Sequence, residues 1–233
     1  MASLRPNTTT VLDCAHHLDN TAWGHLLDRW DLLRAANVVG IIHKASQGMS
    51  YRDPDFVVRR GDCRMEGIPF AAYHFMDDGS KSNATSQADH FIDVCQGGGL
   101  RMFADYEADG LELMDLYKFM DQLEFKLGPS LRSGVYGGHL LHEQVCNVGF
   151  DSTLARYPLW IAHYSNAADA PRFPKQTWPR WKLWQYSDSL QFDDMNFNVD
   201  VNQYWGSVGE CQQFFQPVDP EMAEVEDAPQ ELA

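Results

Sequence analysis

Basic residues are scarce in this 233-residue chain: 18 Lys and Arg stand against 33 Asp and Glu, a formal net charge of -15. A phosphate backbone needs a cationic face, so this deficit excludes nucleic acid as a partner. Cysteine is thin and poorly spaced for cross-linking. Cys14, Cys63, Cys95, Cys146 and Cys211 are odd in number and contain no C-x-x-C pair, against a disulfide framework or zinc knuckle. No apolar run approaches bilayer-spanning length, and the N-terminal residues lack the apolar stretch of a secretory leader. We therefore expect no signal peptide and no membrane insertion. Such a chain is made in the cytoplasm and reaches any extracytoplasmic target through lysis, a pore or a dedicated delivery route. Internal repeats are also missing, which leaves a monomeric globular protein as the expectation.

Apolar content is ample for a core, at 44% hydrophobic and 12% aromatic residues. Acidity concentrates at one end. Residues 217–233 hold Asp219, Glu221, Glu224, Glu226, Asp227 and Glu231 with no basic residue and no aromatic, the composition of a disordered tail. The expected organisation is an N-terminal extension over 1–9, one folded domain over 10–216 and an acidic tail over 217–233.

Within the domain, short apolar runs alternate with amphipathic stretches. Strand patterns fall at Thr10–Cys14, Val38–Ala45, Ile68–Phe75, Met102–Tyr106, Gly134–Tyr136, Pro158–Tyr164, Trp181–Tyr186 and Asn198–Val201. Helical patterns fall at Trp23–Ala36, Pro54–Glu66, Asn83–Cys95, Leu111–Lys126 and His139–Val145. This alternation predicts an α/β fold, an irregular TIM-like β/α barrel in a single domain, with weak helices in the last third.

The triplet Asp105-Tyr106-Glu107 ends the fourth apolar run and sets two carboxylates on one side of a strand. Ionised together they repel, and burial penalises both charges, so one tends to hold a proton near neutral pH. A carboxylic acid beside a carboxylate can cleave a glycosidic bond. The triplet alone does not decide the matter, because D-x-E also occurs on solvated faces. Barrel active sites, however, gather at the C-terminal ends of strands, where Asp13, His16, His17, Lys44, His74, Tyr136, His163, Tyr164, Gln185, Asp200 and Asn202 also fall. Tyr73, Tyr164 and Trp184 offer flat faces for sugar rings, or equally for packing. Asp53 before Pro54 reads as shaping a helix start, and Asp109-Gly110 as a turn. A metal-dependent barrel hydrolase using His16, His17, His74 and His163 is an alternative, although no compact H-x-H or H-E-x-x-H motif is present. A non-catalytic glycan-binding barrel is another.

At these residues the sequence resembles glycoside hydrolase family 25, the N-acetylmuramidase lysozymes. The matching segments are Val11–His17, Ile42–Gly48, Tyr51–Phe56, Gly67–Phe75, Asp105–Glu107, Tyr157–Tyr164, Trp184–Ser187 and Val199–Asn202, in order over roughly residues 11 to 206. The resemblance implies hydrolysis of the β-1,4 bond between N-acetylmuramic acid and N-acetylglucosamine in peptidoglycan, with glycan strands as the partner and no cofactor or metal. It implies Glu107 as general acid, Asp105 as its partner, and Asp13 and Asp200 as an outer acidic pair. His17, Lys44, Tyr73, His74, Tyr136, Tyr164, Trp184, Gln185 and Asn202 are the implied substrate-binding set. Two departures stand out: Cys14-Ala15 replaces a small or hydroxyl pair, and Gln47 replaces a frequent glutamate. Neither position carries the chemistry, so altered affinity is the expected consequence.

Overall fold

A computed structural model describes residues 4–5, 7–78, 83–96, 99–128, 133–164, 170–190 and 198–216. The expected N-terminal extension is thus described only in part, and the acidic tail lies outside the described residues.

The first half interleaves strands and helices: β1 (Thr9–Cys14), α1 (Asn20–Asp28), α2 (Trp30–Ala35), β2 (Val38–Gln47), β3 (Tyr51–Arg52), α3 (Phe56–Met65), β4 (Phe70–Phe75) and α4 (Ala84–Val94). The second half comprises β5 (Arg101–Asp105), α5 (Leu113–Leu127), β6 (Ser133–Gly137), α6 (His139–Val148), β7 (Leu159–Ala162), β8 (Leu183–Leu190), β9 (Val199–Tyr204) and α7 (Val208–Phe215). Neighbouring strands run in the order β1-β9-β8-β7-β6-β5-β4-β2, and β1 pairs with β2 to close an eight-strand barrel, with β3 appended to β2. The chain is a single α/β domain. β9 breaks the parallel rule, running antiparallel to both β1 and β8.

Period-2 alternation sorts side chains between two apolar layers. Val11, Ile42, Ala71, Phe103, Trp160 and Leu183 fill the barrel interior, while Leu12, Ile41, Ala72, Met102, Ala104 and Ile161 pack outward under the helices. Phe103 needs room: a Cβ on Gly134 of β6 would lie 2.6 Å from its ring. Glycine there lets the barrel close around an aromatic.

Two sequence expectations need correction. The helix expected over Trp23–Ala36 is two short helices, broken at Arg29 (φ -105°, ψ 10°), and its start lies earlier because Asp19 caps the amides of Thr21 and Ala22. The last third also contains an unexpected helix, α7. Ser207 and Glu210 form a reciprocal capping box at its start, and Cys211 and Phe215 insert into the interior layer at the N-terminal ends of the strands. Arg101 holds it there, donating from Nε to the Phe214 carbonyl at 2.6 Å. No helix among the described residues is long and apolar enough to cross a membrane.

Candidate active site

The mouth lies at the opposite end of the barrel from α7. Asp13 ends the interior row of β1 and Asp105 that of β5, with Tyr73 on the interior row of β4; Glu107 lies two residues beyond Asp105, exposed at the rim. Because β9 is antiparallel, its first residues reach the same end, and Asp200 sits directly opposite Asp13 in the ladder. A cavity of about 410 Å³ opens there, lined by Asp13, Cys14, His17, Tyr73 and Asp200 among others.

Asp13 is buried and held by amides. Gln185 donates from Nε2 to both of its oxygens at 3.1 Å, and Asn202 donates from Nδ2 to Oδ2 at 2.6 Å. Gln185 Oε1 accepts from the Tyr136 and Tyr164 hydroxyls at 2.8 and 2.9 Å. Asn202 is fixed in turn by the Trp160 indole, which donates to its Oδ1 at 2.6 Å. Burial pushes the Asp13 carboxyl up, and these amide donors pull it partly back. Burial raises Asp200 too, followed by the charge of Asp13 across the ladder. Two opposed carboxyls in this setting share a proton.

The second pair is Asp105 with Glu107. Burial raises both carboxyls, and their mutual repulsion falls on Asp105, the more enclosed of the two. The Lys44 ammonium opposes the rise at both. Lys44 points into the mouth and is tethered by donation to Gln47 Oε1 at 2.7 Å, with Gln47 passing on to Asp77 at 3.2 Å. Asp105 Oδ1 is buried and has no hydrogen-bond partner among the described residues, an acceptor at the base of the mouth. The single Tyr136 proton has two claimants, Gln185 Oε1 and the Glu107 carboxylate, so this hydroxyl links the two acidic pairs.

The structure brings Asp13, Lys44, Tyr73, Asp105, Glu107, Tyr136, Tyr164 and Asp200 to one mouth, with His17 at its edge. Two residues of the expected substrate-binding set face elsewhere. His74 is fully buried under the helices, bonded to Ser46 Oγ at 2.8 Å and Gln87 at 3.2 Å and stacked on Phe119. Trp184 packs outward against Trp181 and Tyr186, its indole donating to the His163 carbonyl at 2.8 Å. Each follows or precedes an inward residue, so strand parity turns it out. Gln185 and Asn202 do face the interior, but they are buried beneath Asp13 and act by positioning it.

Sequence reasoning missed one cluster. Asp53, assigned only to shaping the start of α3, does accept from the Asp55 amide at 3.1 Å. Its other oxygen accepts from the His16 amide at 3.1 Å and contacts the His16 ring at 3.0 Å, fixing the loop that carries His17. Arg59, buried under the same loop, donates to the Ala15 and Leu18 carbonyls and to Asp55. Among the described residues, no three His, Cys, Asp or Glu side chains are grouped to hold a metal.

Residues 12–195 match the profile of the glycosyl hydrolases family 25. Lysozyme M1 of Streptomyces globisporus is 26% identical over 193 residues, a match that covers 76% of this chain and 64% of that protein. A bacterial lysozyme from Streptomyces coelicolor superposes with a TM-score of 0.71 at 22% identity, over 89% of this chain and 97% of that one. The spore cortex lytic enzyme SleM of Clostridium perfringens superposes with a TM-score of 0.67 at 26% identity, over 90% of this chain and 71% of that one.

Proposed function

The chain belongs to family 25 of the glycosyl hydrolases, and on that premise we propose that it is a muramidase, cutting the β-1,4 bond from N-acetylmuramic acid to N-acetylglucosamine in peptidoglycan. The observation that carries this reading is the pairing of exposed Glu107 with enclosed Asp105, whose Oδ1 has no partner among the described residues. Glu107 reaches solvent and substrate at the rim, and the partial desolvation imposed by the mouth around it raises its carboxyl above an ordinary glutamic acid. It donates that proton to the glycosidic oxygen as the C1–O bond breaks and the electron pair leaves with the departing sugar's hydroxyl. The acetamido oxygen of the muramyl unit closes on C1, and the acetamido N–H, grown acidic, is taken up by the acceptor Asp105 Oδ1. Water then adds to C1 and gives its proton to Glu107 as the bond from C1 to the acetamido oxygen breaks, Asp105 returns its proton to the acetamido nitrogen, and a reducing end is released. This is one of the recognised exceptions to the direct-nucleophile scheme.

The outer pair has a positioning role in this scheme: Asp13 and Asp200 hold one proton between them and tune Glu107 through Gln185 and Tyr136. Lys44, Tyr73, Tyr136, Tyr164 and His17 surround the glycan. The protein acts as a monomer on the bacterial cell wall, without metal. Mass spectrometry of fragments released from purified peptidoglycan tests the proposal. Reducing N-acetylmuramic acid ends, formed in the presence of chelator, are expected. Reducing N-acetylglucosamine ends, free peptides or loss of activity in chelator would each defeat it.

A further inference from the structure

A second concavity lies away from the mouth. At the opposite end, a groove of about 780 Å³ runs between α3, α7 and the starts of β2 and β4. Its floor is apolar, with Val38, Ile68, Phe70, Leu100 and Phe215. Its rim carries Arg34, Arg60 and Arg64 against a single acid, Glu66. Three arginines in one groove are conspicuous in a chain with only 18 basic residues. Arg60 spends one nitrogen on the Cys95 carbonyl at 3.1 Å, and Arg34 lies 3.8 Å from Asp31. The Arg64 side chain makes no hydrogen bond or ion pair among the described residues, while its carbonyl accepts from the Gly67 amide where α3 ends.

The last two described residues before the tail, Phe215 and Gln216, themselves line this groove. The tail therefore leaves from the groove wall. Residues 217–233 carry six acids and no base, with Val218, Met222 and Val225 interspersed. We propose that this groove is the docking site of the chain's own acidic segment 217–233, its carboxylates on the arginine rim and its apolar side chains on the floor. Tethering at the groove wall holds the segment at an effective concentration in the millimolar range, so weak contacts suffice. Docking there would leave the mouth at the other end clear.

Hydrogen–deuterium exchange on the full chain tests this. At low salt, amides of residues 217–233 should exchange at least tenfold more slowly than an unstructured peptide of the same sequence. The double variant Arg34→Glu/Arg64→Glu, altering two side chains outside the core, should restore free-peptide rates without changing glycan hydrolysis, as should replacing the six tail acids with their amides. Free-peptide rates in the unaltered chain would overturn the proposal. So would protection that survives both sets of substitutions, or protection that vanishes on tenfold dilution, which would mean a second copy supplies the segment.

Discussion

Asp200→Asn should make the protein more stable and less active, with the gain in stability growing as pH rises. Asp200 faces Asp13 directly across the β1–β9 ladder, which places their Cβ atoms about 5 Å apart. Two full charges at that separation repel by roughly 3 kcal/mol at an effective dielectric constant of about 20. Solvent reaches part of Asp200 and one proton is retained near neutrality, so the relief from removing one charge is about 1–2 kcal/mol. Both carboxyls are raised in the folded state. Their protonated forms are therefore favoured by folding, and stability falls as pH rises through the folded values. Below about pH 4 the unfolded carboxyls are protonated too, and the difference disappears. Scanning calorimetry from pH 4 to pH 9 should show no gain at the acid end and a rise of about 2–8 °C at pH 8, using about 2–4 °C per kcal/mol for a chain of this size. Peptidoglycan hydrolysis should fall at every pH. A variant equally or less stable than the parent at pH 8 would refute the idea that these carboxyls oppose one another.

Glu107→Gln should lower turnover by about two to four orders of magnitude with glycan binding retained, measured by reducing-end release beside equilibrium binding. In Asp105→Asn turnover should fall while the alkaline limb of the residual activity stays near that of the parent, because desolvation and not the charge of Asp105 raises Glu107; a limb moved well to lower pH counts against this. Gln185→Leu strips partners from buried Asp13 and from two tyrosine hydroxyls, and chemical denaturation should register a loss of about 3 kcal/mol. Gly134→Ala drives a methyl into the Phe103 ring and should cost about 1–3 kcal/mol, seen as a lowered denaturation midpoint.

The barrel was legible because its strands obey the two-residue period so regularly. Phe103 and Asp105 face in while Met102 and Ala104 face out, and that parity is what makes Asp105-Tyr106-Glu107 stand out. The same parity was available for His74 and Trp184: with Tyr73 and Gln185 facing in, their neighbours had to face out. Proximity to a strand end was weighed there in place of phase. The direction of β9 also had a signal, since the stretch from Leu190 to Val199 is shorter than the dozen residues that a parallel crossover needs. Ser207-Val208-Gly209-Glu210 carries the capping-box spacing of α7. The clamp of Asp53 on His16 and the bracing of Asn202 by Trp160 have no local pattern, because these partners meet only once the barrel closes.

Closure itself falls to the last described strand in chain order. β9 lies between β1 and β8, joining residues nearly two hundred positions apart, such as Val11 and Asn202. Until it inserts, β1 and β8 are unpaired edges, and the interior amides that hold Asp13 have no place to dock. Contacts of such long sequence separation form slowly, because loop-closure entropy is lost before they add stability. Unpaired edges are also where nascent chains stick to one another. A chain ending before Val199 would lack both Asp200 and the strand that joins β1 to β8, so one segment completes the barrel and the acidic pair together.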